Sequence, residues 1–335
     1  MNIIDILHKT VSQDSLTETE AYFFMLSAMK GEVSEIILSS WLTALKIKSP
    51  TKEELLGCVK AMRESAVKTT SNFDFDFIDT CGTGGDGKNS INLSTLSALT
   101  LSSLGIKVAK HGNRSVSSLS GSSDILSHIG ININKAPKEV EQDLLNKGFA
   151  FLFAPAWHPS MKFAVNVRKN LGFRTVFNVL GPLSNPFYPN YQMIGVYDQD
   201  LMDNVLYVFV KLGIKSVIVC HSLDGLDEFS IFHPTKYLIY KGGKTEKRQF
   251  DPKSLQIKQE LKENELYCHT KEDVINITES ILSGTVITGT YAVALNAGVG
   301  LYLIGRVDSI EEGYKIALTQ LESGKVKEYV ELLKN

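Results

Sequence analysis

The stretch DTCGTGGDGKNSINLST, residues 79–95, decides the fold prediction. It is preceded by FDFDFI (73–78), whose alternating phenylalanines are typical of a β-strand. It is followed by LSALTLSSLG (96–105), whose leucines have mostly helical spacing and whose Gly105 is a typical helix stop. The four glycines of the stretch permit positive φ angles and close approach of the backbone to a ligand. A glycine-rich loop is therefore predicted to join a strand to the start of a helix.

This loop has features of a phosphate site. Ser94 and Thr95 lie where the helix is expected to begin, and backbone N–H groups at a helix N-terminus form an anion site. The loop is neither a Walker A loop nor a dinucleotide fingerprint, because it lacks both Gly-Lys-Ser/Thr and G-x-G-x-x-G. The glycines alone do not separate a phosphate loop from a plain tight turn.

A second stretch, KHGNRSVSSLSGS (110–122), shifts the balance towards phosphate. It follows a short apolar run at 106–109 that predicts the next strand, and it precedes a helical pattern from Asp124 to Ile129. If the two strands are parallel neighbours, both loops emerge at the same edge of the sheet, where α/β proteins bind ligands. The two loops are therefore expected to form one anion pocket.

The composition limits the class of protein. The chain has 335 residues, 43% of them hydrophobic, and a net charge of −2 without a polybasic run. These values predict one large domain plus a smaller one and disfavour binding of nucleic acid through a broad basic surface. No run of ~20 apolar residues or signal-peptide pattern is present, so neither a membrane partner nor export is expected.

The four cysteines are scattered without metal-ligand spacing, which predicts reduced thiols in a cytoplasmic protein. Cys81 lies within the glycine-rich loop. A small residue in a tight site is favoured there over a reactive thiol.

The first 70 residues are predicted to be wholly helical. Thr17 and Glu20 form a capping-box pattern, and Pro50-Thr51 is expected to open a further helix. The apolar faces of these helices fit either a core or a subunit interface; core packing is favoured, with some surface buried against a partner. The stretch 68–74 is the expected crossing to a second domain.

Beyond this crossing, apolar strands alternate with helices, which predicts an α/β fold with a mainly parallel central sheet flanked by helices. Gly242-Gly243 indicates a hairpin, and the proline-rich stretch 155–189 predicts short helices and turns. The predicted strands are 75–79, 106–109, 149–153, 192–197 and 216–220.

Two further features suggest polar binding sites. Arg168 lies mid-helix, where a solvated face and a carboxylate-binding role are equal alternatives, since the guanidinium fork binds both carboxylate oxygens. Asp224, Asp227 and Glu228 follow the strand at 216–220. Such acids can hold Mg²⁺ beside substrate phosphates, although a polar turn is the alternative.

Taken together and in order, seven motifs resemble the anthranilate phosphoribosyltransferase family, and the resemblance spans nearly the whole chain. These motifs are GTGGD (82–86), NLST (92–95), KHGNRSVSS (110–118), HPSMK (158–162), VRKNLGFRT (167–175), NVLGPLSNP (178–186) and GLDEFS (225–230). The resemblance implies transfer of the 5-phosphoribosyl group from phosphoribosyl pyrophosphate (PRPP) to the amine of anthranilate, in tryptophan biosynthesis. It also implies a small helical domain (1–70, with helices near 160–187), an α/β domain (71–159 and 188–335), and a homodimer through the helical domain.

The resemblance further implies a set of site residues and Mg²⁺ as the cofactor. Catalysis is expected to rest on positioning without an assigned catalytic residue, His111 being the one candidate for proton handling. The implied PRPP-binding residues are Gly82, Gly85, Asp86, Ser90, Asn92, Leu93, Ser94, Thr95, Lys110, His111, Gly112, Asn113, Ser117, Ser118 and Ser122. The implied anthranilate-binding residues are Gly82, Asn113 and Arg168, and the implied metal-binding residues are Ser94, Asp227 and Glu228.

Two alternatives and two departures remain. The alternatives are a pyrimidine nucleoside phosphorylase-like enzyme and a non-catalytic relative that binds nucleic acid; the latter should be basic and lack the Asp227–Glu228 pair. Ser123 stands where the family usually has alanine, and the stretch 289–302 lacks the charged residues expected before its Leu-Asn-Ala. Both departures are expected to affect local packing only.

Overall fold

The computed structural model describes residues 1–85, 87–114 and 119–334. Thr17 caps the second helix in a capping box with Glu20, as predicted, and Thr51 caps the fourth in the same way. The fourth helix ends at Glu64, so the prediction that the first 70 residues are wholly helical is wrong beyond that residue. The leading helices are α1 (Ile3–Val11), α2 (Glu18–Met29), α3 (Glu35–Lys48) and α4 (Lys52–Glu64).

The described strands form one sheet in the order β3-β2-β1-β4-β5-β6-β7. Pairing is parallel from β3 through β5 and antiparallel for β6 and β7, which confirms the predicted α/β class with a mainly parallel sheet. The strands are β1 (Ile78–Asp79), β2 (Val108–Gly112), β3 (Phe149–Phe153), β4 (Tyr191–Gly195), β5 (Ser216–Ser222), β6 (Thr235–Lys241) and β7 (Lys244–Phe250).

Helices cover both faces of this sheet. They are α5 (Leu93–Ser103), α6 (Ser122–His128), α7 (Pro137–Lys147), α8 (Ala154–Trp157), α9 (Lys162–Leu171), α10 (Phe177–Leu183), α11 (Met202–Lys211), α12 (Lys271–Leu282), α13 (Thr288–Leu303), α14 (Ile310–Glu322) and α15 (Lys325–Leu333). None of the described helices is long and apolar enough to cross a membrane.

The strand predicted at 75–79 is wrong in extent, because only Ile78 and Asp79 are paired in the sheet. The alternating phenylalanines before them instead form an aromatic cluster: the ring centroid of Phe73 lies 5.4 Å from that of Phe77 and 5.1 Å from that of Phe187. The period-two pattern therefore reports one buried face of an extended segment rather than a strand.

The second strand begins and ends later than the predicted 106–109. Its last residues, Lys110, His111 and Gly112, pair with Phe151, Leu152 and Phe153 of β3. Three predicted site residues thus lie on the sheet itself and not in a loop. Strand β4 begins one residue earlier and ends two residues earlier than the predicted 192–197. Strand β5 ends two residues later than the predicted 216–220.

The predicted hairpin is confirmed. Lys241 and Lys244 are paired across the turn between β6 and β7, and Gly242 and Gly243 have φ angles of 59° and 78°. Two successive positive φ angles are typical of a tight hairpin turn whose twist matches the strands.

The alternation of side chains along β5 supplies both hydrophobic cores. Ile218 and Cys220 face a core shared with α5 and α13, whereas Val217 and Val219 face a core shared with α2, α3, α4 and α11. Helix α9 joins the second core through Ala164 and Val167, and α10 joins it through Leu180. The proline-rich stretch thus packs with the N-terminal helices.

Helix α13 explains the uncharged stretch 289–302. It lies inside the first core with nearly all of its residues buried, so a charge there would be desolvated. It also approaches α14 closely: a Cβ added to Gly298 would lie 2.4 Å from the backbone nitrogen of Tyr314.

A buried ion pair holds the N-terminal helices together. The Glu54 carboxylate lies 2.7 Å from the Lys48 ammonium and accepts hydrogen bonds from the backbone N–H groups of Leu16 and Thr51. The side chains of Lys48 and Glu54 are 5% and 0% exposed. Because removing one partner leaves a buried charge unpaired, Glu54→Ala should lower the free energy of unfolding by about 3–5 kcal/mol.

Urea denaturation measures this loss, with Glu32→Ala as the control at an exposed glutamate. Equal, small losses in both variants would show that the ion pair does not stabilise the helical segment.

Candidate active site

The carboxylate of Asp79, at the end of β1, joins three segments beneath the glycine-rich loop. Its Oδ1 accepts hydrogen bonds from the backbone N–H groups of Cys81 (3.0 Å) and His111 (3.3 Å). Its Oδ2 accepts one from Asn185 Nδ2 (2.8 Å), which also donates to the Ala109 carbonyl. Burial raises the pKa of Asp79 to about 6, against the opposing effect of the Lys110 charge and these donors.

The glycine-rich loop turns sharply and is fastened to the loop after β5. Gly84 and Gly85 have φ angles of 61° and 79°, a region that favours glycine. The Gly84 N–H donates to Asp227 Oδ2 at 2.7 Å. A Cβ added to Gly82 would lie 2.9 Å from the same oxygen, and one added to Gly195 would lie 1.3 Å from the Asp227 carbonyl oxygen. Gly195 therefore leaves no room for a side chain, and a side chain at Gly82 would displace the Asp227 carboxylate.

The neighbouring acid, Glu228, faces the first turn of α5. Its Oε1 accepts a hydrogen bond from the Ser94 N–H at 2.9 Å, where the positive end of the helix dipole favours an anion. The buried Lys110 ammonium lies 3.2 Å from Ser94 Oγ and 3.4 Å from Thr80 Oγ1. The predicted metal-binding residues and Lys110 therefore meet at one place.

Asp224, the third acid of the predicted cluster, turns away from this point. Its Oδ2 accepts a hydrogen bond from Ser230 Oγ at 2.9 Å, and its carboxylate lies near His233 and Glu263. The sequence does not distinguish Asp224 from Asp227 and Glu228, because only the path of the loop after β5 separates them.

The remaining predicted PRPP-binding residues divide into two groups. Asp86, Ser117 and Ser118 lie outside the described residues. Those that are described cluster at the carboxyl ends of β1 and β2: Asn92 is the N-cap residue of α5, Leu93 and Thr95 lie in its first turn, and Ser122 contacts Gly112 at the start of α6. Ser90 forms an isolated bridge with Tyr267.

His111 and His158 form a buried pair with ring centroids 5.1 Å apart. The His111 Nδ1 lies 3.1 Å from the Gly181 carbonyl, which can only accept, so the neutral ring carries its proton there. Its Nε2 is then an acceptor, and this atom is buried without a hydrogen-bond partner among the described residues. Burial lowers the pKa of His111 to about 3 and the pKa of His158 to about 4.

The predicted anthranilate-binding residues are less closely joined. Gly82 lies against Asp227, Asn113 follows β2 with its side chain accepting from the Arg114 N–H at 2.8 Å, and Arg168 lies on α9. The Arg168 guanidinium is 5.3 Å from the centroid of Phe177, and burial lowers its pKa. No hydrogen bond of the described residues links Arg168 to the other two.

The structure adds residues that the sequence analysis did not assign to the site, chiefly Asp79, Asn185 and His158. An acid at the very end of a strand, directly before a glycine-rich loop, was the available signal for Asp79. Asn185 and His158 lie within family motifs, but the sequence gives neither of them a role, since their partners come from distant segments. Burial raises the pKa of the Cys81 thiol to about 12, and the tight-site role of Cys81 stays a prediction.

Comparison with known proteins assigns both parts of the chain to one class. The family model described as the glycosyl transferase family, helical bundle domain, matches residues 4–66. The model described as the a/b domain of the glycosyl transferase family matches residues 74–327. Fold and site therefore define a glycosyl transferase with a helical bundle and an α/β domain.

Individual relatives specify the family. The anthranilate phosphoribosyltransferase of Geobacillus sp. (strain WCH70) is 40% identical over 330 residues, 98% of this chain and 96% of the relative. The crystal structure of the Thermus thermophilus enzyme of the same name has a TM-score of 0.90 at 34% identity, covering 99% of this chain and 100% of that one. The Saccharomyces cerevisiae enzyme in complex with PRPP and Mg has a TM-score of 0.86 at 26% identity, covering 98% and 96%. The chain belongs to the anthranilate phosphoribosyltransferase family.

The buried histidine pair predicts a pH dependence of stability. Unfolded histidines titrate near pH 6.5, so between about pH 6.5 and 4 the unfolded chain binds more protons than the folded one. Stability contributed by His158 is therefore present above this window and is lost as the pH falls through it. Asp79, with a raised pKa, contributes in the opposite direction.

Thermal midpoints at about pH 7.5 and about pH 5 test this. The drop between them should be smaller in His158→Gln than in the wild type, and unchanged in the exposed control His269→Gln. An identical drop in His158→Gln and the wild type would contradict a neutral, buried His158.

Proposed function

We propose that this protein transfers the 5-phosphoribosyl group from PRPP to the amine of anthranilate, giving N-(5-phosphoribosyl)anthranilate and pyrophosphate in tryptophan biosynthesis. The observation that carries the proposal is the meeting of Gly84, Ser94 and Lys110 with Asp227 and Glu228 beyond the carboxyl ends of β1, β2 and β5. The family membership supports it. No observation favours a nucleoside phosphorylase or a nucleic-acid-binding relative.

The chemistry follows from the charges of the reaction. Displacement of pyrophosphate from the ribose C1 carbon develops negative charge on the leaving group. The N–H groups of the glycine-rich loop and of the first turn of α5, with the Lys110 ammonium, are proposed to stabilise that charge. The aryl amine is already nucleophilic, so the protein's main contribution is to hold the amine and C1 in line.

Mg²⁺ fits the proposed metal residues. Ser94, Asp227 and Glu228 offer hydroxyl and carboxylate oxygens, the ligand type that Mg²⁺ prefers. When bound, the ion would neutralise diphosphate charge. Asp227 and Glu228 also accept backbone hydrogen bonds, from Gly84 and Ser94, so their carboxylates are already oriented towards the two phosphate-binding segments.

The proposed anthranilate site lies between the two parts of the chain. Arg168, on the helix that packs with α2 and α3, is proposed to bind the carboxylate, with Gly82 and Asn113 on the opposite side. His111 is proposed to orient the amine through its Nε2 lone pair. With a pKa of about 3, His111 is too weak a base to accept the proton that the amine of anthranilate loses in the reaction.

The domain division, the dimer and the location belong to the same proposal. We propose that residues 1–70 and the helices near 160–187 form the helical domain, since α9 and α10 share a core with α2–α4. Residues 71–159 and 188–335 form the α/β domain. Four unpaired thiols, three of them buried, support a cytoplasmic location.

The exposed face of α1 and α3 supports a homodimer through the helical domain. Ile36 and Ile47, eleven residues apart on one face of α3, are 78% and 70% exposed, and Val11 of α1 is 58% exposed. A groove of about 410 Å³ lies beside them, lined by both helices and by Leu171. Contiguous exposed apolar surface of this kind marks a protein interface.

Sedimentation velocity tests the dimer. Ile47→Glu should convert it to a monomer, because a charge would be buried in the interface. Ile316→Glu, at an exposed isoleucine on α14, serves as the control and should leave the dimer intact. A wild-type protein that sediments as a monomer would overturn this part of the proposal.

The activity itself is tested by fluorescence. Anthranilate fluorescence should decay only when enzyme, PRPP and Mg²⁺ are all present, and omission of any one should abolish the decay. Sustained anthranilate fluorescence in the complete mixture, with folded protein, would contradict the proposed function.

Arg168→Ala should raise KM for anthranilate by about tenfold to 100-fold, because a charge-assisted hydrogen bond is lost. KM for PRPP should change by less than about twofold. The control is Lys169→Ala, the exposed neighbour on the same helix. Equal increases in both KM values would place Arg168 outside the anthranilate site.

The double variant Asp227→Asn with Glu228→Gln should lose Mg²⁺-dependent turnover by at least about 100-fold, since both proposed anionic ligands are neutralised. Asp224→Asn is the matched control, because that acid lies in the same loop but turns away. Full turnover by the double variant would remove the metal from this site.

A further inference from the structure

Arg174 lies on the short connector between α9 and α10, directly over the glycine-rich loop. A Cβ added to Gly85 would lie 3.1 Å from Arg174 Cζ and 3.2 Å from its Nε, so the flat face of the guanidinium rests on the glycine. The same group lies 4.5 Å from the centroid of the Tyr197 ring. The guanidinium therefore contacts both the glycine-rich loop and Tyr197, two residues after the end of β4.

The tyrosine is itself tied to this loop. The Tyr197 backbone N–H donates to Thr83 Oγ1 at 3.1 Å, and the Thr83 N–H donates to the Gly195 carbonyl at 2.9 Å. Arg174 thus closes a small assembly in which connector, loop and strand end each contact the other two. A lysine could not reproduce this packing, because its ammonium is a point charge without a planar face.

The charge of Arg174 is not neutralised by a carboxylate of the described residues, since none of their ion pairs includes it. The residue is exposed. A guanidinium without a carboxylate partner among the described residues, lying over a loop proposed to receive a diphosphate, raises the local positive potential where the anion arrives. The φ of +79° at Gly85 favours glycine, and a Cβ at this position would also press against the guanidinium.

We propose that Arg174 is a positioning residue for the diphosphate substrate: it holds the glycine-rich loop in its binding shape and adds positive charge at the loop's mouth. The inference rests on the proposed function. It also joins the two substrate sites, because Arg168 lies on the helix that leads directly into this connector.

The experiment compares Arg174→Gln, Arg174→Lys and Tyr197→Leu with the exposed control Lys169→Gln. Steady-state kinetics give KM for each substrate, and calorimetry gives Kd for PRPP with Mg²⁺.

Arg174→Gln should raise KM and Kd for PRPP by about tenfold or more, with KM for anthranilate changed by less than about twofold. Arg174→Lys should fall between Arg174→Gln and the wild type, because it keeps the charge and loses the stacking. Tyr197→Leu should weaken PRPP binding without abolishing it, since it removes only the aromatic contact.

Two results would overturn the inference: PRPP affinity in Arg174→Gln within about twofold of the wild type, or equal losses for both substrates, which indicate a general structural role. Failure of the proposed function is distinguishable, because wild-type protein would then neither bind PRPP nor consume anthranilate.

Discussion

The buried carboxylate of Asp79 is the interaction on which the site depends. It sits where β1 ends and is hydrogen-bonded to the first turn of the glycine-rich loop, to the backbone of β2 and to Asn185 from the proline-rich stretch. Burying a carboxylate costs several kcal/mol of free energy unless its oxygens accept hydrogen bonds, and Asp79 is fully buried. Moving one of these three segments away would remove donors from the carboxylate and so destabilise the fold. The two phosphate-binding segments and the helical side of the site are thereby fixed to each other.

A second constraint comes from the loop after β5, which lies at the same edge of the sheet as the glycine-rich loop. The loop after β5 passes so close to Gly195 and Gly82 that neither position leaves room for a Cβ. This approach brings the carboxylates of Asp227 and Glu228 to the N–H groups of Gly84 and Ser94. Close packing of the Asp227 backbone on Gly195 and the hydrogen bonds from Gly84 and Ser94 together set where the acidic pair lies. The proposed metal and diphosphate chemistry uses what this packing provides.

The sequence predicts those features that have a local cause. The capping box at Thr17, the helix start at Thr51, the glycine hairpin after β6 and the alternation of strands and helices all depend on neighbouring residues, and all are confirmed. The strand at 75–79 failed because Phe75 and Phe77 pack against Phe73, which in turn contacts Phe187 from a distant part of the chain, and no local pattern encodes that contact. Asn185 and Arg174 lie within family motifs, but the sequence did not assign them a role, since their contacts come from distant segments. The roles of the individual site residues stay predictions.

The central claim is that one diphosphate is held jointly by the glycine-rich loop, the first turn of α5 and the acidic pair. A crystal of this protein with PRPP and Mn²⁺ in place of Mg²⁺ tests it most directly, because the anomalous signal locates the metal independently of the phosphates. The account predicts a metal peak within about 2.5 Å of an Asp227 or Glu228 oxygen, or one water further away, with the diphosphate on the Gly84–Gly85 and Ser94 N–H groups. A well-ordered diphosphate and metal bound elsewhere on the protein would contradict it.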